Sequence, residues 1–273
     1  MKFLINKNGF DVVKCKNCGL VYVAPQPPEN EIEKIYSFEK GYGTWRFDPF
    51  KRKKKLNEKR KLFEEHVKLI TKYKKPGFLL DVGCSSGLFL EVARSFSWKC
   101  YGVEVNKDTA AIAKQKGFSI FIGDLLSANF SNETFDVITL WEVLEHVRDP
   151  TNTLMHVRNL LKNNGYLFIS TPNISGFEPE VSYYLMGKTI NFWRHPEPPG
   201  HLYQFSVNTI QKLLQKTEFK VVSIQLKEIP LDYTAPKGRH VKSSIFRIVT
   251  KTLYLVGKLL NSQNAMIAVA SKQ

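Results

Sequence analysis

Three acidic residues stand at the ends of short apolar runs. Phe78-Leu79-Leu80-Asp81-Val82 runs into Gly83-Cys84-Ser85-Ser86-Gly87, Lys99-Cys100-Tyr101-Gly102-Val103 into Glu104, and Phe118-Ser119-Ile120-Phe121-Ile122 into Gly123-Asp124. The small residues after the first run let backbone N–H groups and a helix N-terminus come close to a ligand. Glu104 follows Asp81 by 23 residues, and a carboxylate at that spacing accepts both hydroxyls of a ribose. The loop lacks the Gly-Lys-Ser/Thr of a phosphate-binding P-loop. Its glycines follow a G-x-x-x-G pattern behind an acid, which would face a pyrophosphate unfavourably. An acid there suits a ligand with an amine or a sulfonium, so the set describes a nucleoside site.

Such a site needs a sheet edge to hold it. After the run at 78–82, the segment 88–96 reads as a helix, 99–105 as a strand, 107–116 as a helix and 118–122 as a strand. Phe135 to Leu140 is a fourth strand. Asp149-Pro150 supplies an N-cap and an N1 proline. The helix that follows carries Leu154, Val157, Leu160 and Leu161, and Asn163-Asn164-Gly165 is expected to stop it. Tyr166 to Ser170 is a fifth strand. A helix at 207–216 capped by Ser206, a strand at 219–227 and a last strand at 265–270 complete the pattern. Strands alternating with helices at this spacing mean right-handed βαβ units and a parallel sheet, whose ligands bind at the carboxyl ends of the strands.

Upstream, Val12 to Val23 reads as two short strands around Cys15-Lys16-Asn17-Cys18-Gly19, and 56–73 as a helix with Leu56, Phe63 and Ile70 spaced by seven. The expected division is a CxxC leader at 1–28, a basic helical cap at 29–75 and an α/β domain at 76–273. That domain holds inserts at 172–205 and 228–264.

The chain has 273 residues, 43% hydrophobic and 24% charged, enough to bury a large core and to exclude global disorder. No apolar run reaches the ~18–20 residues that span a bilayer. The N-terminus carries an apolar run of only three, short of a secretory signal. Four cysteines fit a reducing compartment. The expected location is the cytoplasm, at most peripheral on the inner face of the membrane. The net charge is +15, and residues 40–75 alone hold 14 Lys/Arg against 4 Asp/Glu. Such an excess points to an anionic partner or to a solvated helix face.

Residues 78 to 171 resemble the class I S-adenosylmethionine-dependent methyltransferases. Leu80-Asp81-Val82-Gly83-Cys84-Ser85-Ser86-Gly87 looks like their first motif. Phe135-Asp136-Val137-Ile138 with Glu142-Val143-Leu144-Glu145-His146-Val147-Arg148-Asp149-Pro150 is similar to the ubiquinone-biosynthesis O-methyltransferases and their small-molecule relatives. Gly200-His201-Leu202-Tyr203-Gln204-Phe205-Ser206 and Phe219-Lys220-Val221-Val222 match the larger group. The resemblance implies a Rossmann-like seven-stranded sheet, mostly parallel with an antiparallel last strand, and S-adenosylmethionine as cofactor. It implies that Gly83, Cys84, Ser85 and Gly87 line the methionine end, with Asp81 near its ammonium. Glu104, with Val105 beside it, would hold the ribose, Asp124 and Leu125 the adenine, and Trp141 and Glu142 the region near the sulfonium. Tyr42 and Trp45 would close over the cofactor. Ser85 replaces the usual middle glycine, and serves if its φ is negative.

Methyl transfer needs methyl and nucleophile in line, and a hydroxyl acceptor needs a base. The candidate bases are His201, then His146, then His195; Thr171 and Asn173, with His195, are expected to face the acceptor. The acceptor is expected to be a small molecule, lipid or glycan, and the protein a monomer or dimer. The alternatives are an RNA methyltransferase, which the basic segment suggests although no RNA-binding motif is present, and a non-catalytic cofactor-binding partner. Cys15 and Cys18 are half of a zinc knuckle; no residue before them completes it, so no metal is expected. A helix at roughly 245–260 groups Arg247, Lys251 and Lys258 on one arc, with Ile245, Phe246, Ile248, Val249, Leu253, Leu255, Val256, Leu259 and Leu260 opposite. That pattern fits a helix covering a core, the expectation here, or one lying in a membrane interface.

Overall fold

A computed structural model describes residues 1–28, 31–32, 49–188, 193, 195–228 and 241–273. Tyr42, Trp45 and the first part of the basic segment lie outside the described residues. The elements in chain order are β1 (Lys2–Lys7), β2 (Phe10–Lys14), β3 (Val21–Val23), α1 (Pro49–Tyr73), β4 (Phe78–Val82), α2 (Leu88–Ser95), β5 (Lys99–Glu104), α3 (Lys107–Gln115), β6 (Ser119–Ile122), β7 (Phe135–Trp141), α4 (Pro150–Leu160), β8 (Leu161–Pro172), α5 (Phe177–Ser182), β9 (Tyr203–Gln204), α6 (Val207–Lys216), β10 (Lys220–Lys227), α7 (Val241–Leu259) and β11 (Ala265–Ser271).

Seven strands form one sheet in the order β10-β11-β8-β7-β4-β5-β6, in which β11 alone runs antiparallel to its neighbours. This is the mostly parallel α/β sheet that the sequence implies. Alternation along the strands sends side chains to two cores. Leu79, Val137, Phe168 and Ile267 meet Phe63, Val67 and Ile70 of α1 and Phe89 of α2. Leu80, Ile138, Leu167 and Ala268 meet Leu154 and Val157 of α4 and Ile210 and Leu214 of α6. All of these are buried, so each face of the sheet is covered by helices, as parallel strands require.

The caps act where the sequence places them. Asp149 accepts from Asn152 N ahead of Pro150, and Ser206 with Thr209 forms a reciprocal capping box. From β4 the chain builds outward through β5 and β6, then returns to place β7 on the other side of β4. That reversal leaves a crevice beyond the carboxyl ends of the strands.

Three expectations change. Asn163-Asn164-Gly165 does not separate helix from strand: α4 already ends at Leu160 and β8 runs from Leu161 to Pro172. Asn164 takes φ 59°, and the shift is absorbed as an irregularity in register between Leu161↔Phe135 and Tyr166↔Val137. The two strands expected around Cys15–Gly19 form as β2 and β3, but they are not alone: β1 precedes them and β9 completes their sheet, giving the order β1-β2-β3-β9. Finally, α7 buries Thr250, Tyr254 and Gly257, while Ile248, Val249, Leu255, Leu259 and Leu260 are exposed. Its aliphatic side is therefore not the side that covers the core.

Candidate active site

The loop after β4 turns on residues with positive φ. Gly83 has φ 73°, and a Cβ there would stand 2.6 Å from Val143 Cγ2. Gly87 has φ 76° and precedes α2. Ser85 also lies in the left-handed region, with φ 50°, against the negative value the sequence reading required. The conformation is held from outside the loop: Glu104 Oε2 accepts from Ser85 N at 2.7 Å. Glu104 Oε1 accepts from Asn106 N at 2.8 Å. Each carboxylate oxygen keeps a further acceptor site, which suits a ribose diol. Burial raises the Glu104 pKa from its ordinary value.

Cys84 turns away from the crevice. Its buried Sγ packs beneath Gly102, where a Cβ would meet it at 2.6 Å, so only its backbone faces a ligand. Burial pushes its thiol far up. Val105 is exposed beside Glu104. Asp124 lies at the neighbouring strand end, where its carboxylate accepts from Leu126 N at 2.8 Å. Leu125 is buried in the core, which leaves its side chain turned away from an adenine.

Asp81 is buried, and the Thr139 hydroxyl donates to it at 2.7 Å. Loss of water lifts its pKa to about 8 despite that bond. Glu142 has φ 55° at the end of β7, and accepts from Ser170 Oγ at 2.7 Å. Glu142 and Lys59 of α1 both keep accessible surface, and the charge of each acts on the other. Burial, then the neighbouring Glu145, lifts Glu142 to about 8. Burial lowers Lys59, opposed by the charges of Asp81 and Glu142. Trp141 stacks on His66 with ring centroids 4.2 Å apart, and meets Phe89 edge-on.

Beyond Glu142 lies a second cluster. One ligand atom each from Glu145, His146 and His201 falls within 4.8 Å of the others. Glu145 is 1% exposed, and neither carboxylate oxygen has a hydrogen-bond partner at good geometry. Burial lifts it to about 7. His146 Nδ1 donates to Gly200 O at 2.9 Å, so its Nε2 carries the lone pair. His201 packs edge-on against His146, with centroids 4.6 Å apart, and its Nδ1 is buried without a partner. Burial, then His146, drives His201 down to about 3. Glu145 O accepts from Leu202 N and Tyr203 N, which pins the β9 segment to the end of β7. Among the described residues this is the one group of three or more suited to a metal ion. Cys15 and Cys18 stand apart from it, and the backbone N–H groups of Cys18 and Asn17 bring the Cys15 thiol to about 7.

Thr171 lies at the end of β8 and Asn173 just beyond it, Thr171 with a buried hydroxyl near Glu145. Asn173 is committed to structure, its Nδ2 donating to Gln263 O at 2.8 Å. His195 lies elsewhere, 2.8 Å from Glu178 of α5. The sequence reading missed Lys59, His66, Ser170 and the role of Glu145. The signals were present: Lys59, Phe63, His66 and Ile70 share one helix face, and Glu142-x-x-Glu145-His146 crowds two carboxylates and an imidazole into five residues.

Comparison with known proteins agrees with this geometry. A family described as "Methyltransferase domain" matches residues 53–224. The chain belongs to the methyltransferase-domain family. The ubiquinone biosynthesis O-methyltransferase of Glaesserella parasuis is 35% identical over 106 residues, covering 35% of this chain and 45% of that one. The enzyme of the same name from Histophilus somni is 34% identical over 158 residues, covering 52% and 63%. The chain thus spans about half the length of these curated relatives. A SAM-dependent methyltransferase from Archaeoglobus fulgidus shares the fold with TM-score 0.55 at 20% identity, covering 78% of this chain and 94% of that one.

The site suits the cofactor of that fold. A buried carboxylate is costly without a cation nearby; Asp81 is buried, and among the described residues Lys59 is a cation whose charge acts on both it and Glu142. A ligand with an ammonium and a sulfonium would supply positive charge there, and the Glu104 carboxylate would suit its ribose hydroxyls.

Proposed function

We propose that this methyltransferase transfers a methyl group from S-adenosylmethionine to a hydroxyl oxygen of a small-molecule acceptor. The observation that carries the reading is the placement of Glu142 between two clusters. On one side Asp81 stands on β4, which pairs with the end of β7 that Glu142 follows; on the other, three and four residues on, come Glu145 and His146 of the second cluster. A cofactor site and a hydroxyl-handling site therefore share one wall.

The cofactor supplies a methyl group already activated on a sulfonium. The chain binds it through Glu104 and the Gly83–Gly87 loop, orients it along Asp81 and Glu142, and excludes water with α1. In-line approach at about 3–3.5 Å then carries much of the rate. The low proton affinity of His201 makes it a poor base at neutral pH and a good neutral ligand. Glu145, His146 and His201 are accordingly read as holders of a divalent cation. Two imidazoles and one carboxylate suit a first-row transition ion with open positions. Such an ion would lower the proton affinity of a bound hydroxyl, so that its proton passes to solvent before attack, and transfer leaves the methyl ether and the neutral thioether S-adenosylhomocysteine. The bond from His146 to the Gly200 carbonyl fixes the tautomer such a ligand needs.

The relatives named as ubiquinone O-methyltransferases support a ring- or lipid-bearing acceptor over RNA. We place the protein at the periphery of an anionic membrane when it meets such an acceptor. The test is incubation with methyl-labelled cofactor and lipid, glycan, RNA and protein fractions, with and without chelator. Label in a lipid or small-molecule product, lost on chelation and restored by manganese or zinc, supports the reading. Label in RNA or protein, or none at millimolar cofactor, rejects it.

A further inference from the structure

α7 turns its aliphatic side outward. Thr250, Tyr254 and Gly257, spaced by four and three, form the buried face, and Gly257 packs on Phe177 of α5. Ile248, Leu255 and Leu259, spaced by seven and four, form a stripe on another face, exposed by 65%, 59% and 79%. Val249 and Leu260 widen it, both more than half exposed. Tyr184 and Leu185, just beyond α5, are likewise exposed, and Lys188 Nζ lies 4.4 Å from the Tyr184 ring centroid. An apolar stripe of this size on an outer helix marks an interaction surface.

The charges say which kind. No Asp or Glu occurs after Asp232, whereas Lys251 and Lys258 flank the stripe on the helix itself. Both lysines are exposed. Aliphatic side chains bordered by lysines match the boundary of an anionic bilayer, where the former enter the acyl region and the latter meet headgroups. No helix among the described residues is long and apolar enough to cross a membrane, so the contact would be one of lying on the surface. The helix also reports to the site: the turn after it supplies Gln263 O and Asn264 O, which accept from Asn173 Nδ2 and N, each at 2.8 Å.

We propose that the Ile248–Leu255–Leu259 face of α7 docks this methyltransferase on anionic lipid, presenting the end of β8 to an acceptor held in the bilayer. The proposal names the phase that delivers the acceptor, and in that respect rests on the proposed reaction.

Flotation with vesicles of phosphatidylglycerol and phosphatidylcholine, against phosphatidylcholine alone, tests it. The full chain is expected to float with the anionic vesicles and to be partly released by high salt. Leu255→Gln with Leu259→Gln is expected to weaken binding by about tenfold or more at unchanged Tm and cofactor affinity. Lys251→Glu with Lys258→Glu is expected to abolish the preference for anionic lipid. A wild-type chain that stays in the aqueous fraction overturns the proposal, as does a leucine variant that floats equally well. A leucine variant that turns a dimer into a monomer with unchanged flotation assigns the face to a second copy instead. Flotation needs no turnover, so a chain that docks without transferring methyl refutes the reaction alone. One that methylates a soluble acceptor and never floats refutes the docking alone.

Discussion

The imidazole of His66 lies stacked on the indole of Trp141, ring centroids 4.2 Å apart and planes 25° from parallel. The contact fastens α1 to the end of β7, next to Glu142. Burial, then the charge of Lys227, lowers the His66 pKa from 6.5 to about 4. Its neutral form is therefore the one that seals the crevice.

His66 should make the fold acid-sensitive in a defined window. The unfolded chain binds the proton first, so the stability His66 allows is present above about pH 6.5 and is lost as pH falls towards 4. Replacing it with Phe keeps a stacked ring and removes the proton. Thermal melts of the wild type and of His66→Phe should diverge by about 2 kcal/mol at pH 5 relative to pH 7.5. Parallel curves would refute the role.

Glu104→Ala should weaken S-adenosylmethionine binding by at least about tenfold, since charged hydrogen bonds contribute about 1.5–3 kcal/mol. Part of the loss is indirect, because Ser85 N and Asn106 N lose their acceptor. Glu104→Gln, which keeps one acceptor oxygen, should lose less. Titration calorimetry decides; an unchanged affinity for the alanine variant would mean that the ribose lies elsewhere.

Cofactor affinity should rise between pH 6 and pH 8. Asp81 and Glu142 are raised to about 8, so each is largely protonated at pH 6. A cationic ligand favours their ionised forms, and binding should release protons. Calorimetry at pH 7 in buffers of different ionisation enthalpy measures the release directly. Proton uptake, or none, would contradict the assignment.

Glu145→Gln and His201→Ala should each weaken manganese binding by about 10-fold or more, read by the resonance of the free ion without any turnover. Neither should alter cofactor affinity by more than about twofold, since Glu104 and the Gly83–Gly87 loop are untouched. Equal manganese binding by wild type and both variants would leave the two histidines without that role.

The strand-end half of the site was legible because it is local. Asp81, Gly83, Gly87 and Glu104 each sit where an apolar run stops, and a strand's end is visible in its own sequence. The Glu145–His146–His201 cluster was legible only in part, because it is assembled across the chain. His146 and His201 could be named as reactive types, but their meeting depends on Leu202 and Tyr203 bonding to Glu145. Ser85 misled for a related reason: its φ is set by Glu104, not by its own neighbours. Lys59 and His66 looked like positions on a basic cap, since a helical period shows which residues share a face and not which cleft that face closes.

β9 belongs to the leader's sheet, although its residues come from the far side of the α/β core. Val21 pairs with Gln204 and Tyr22 with Tyr203. During synthesis β3 must therefore wait, its edge open, until nearly the whole parallel sheet has left the ribosome. The strand that finally closes that edge follows His201 by two residues, so the pairing of Val21 and Tyr22 also settles where that imidazole stands.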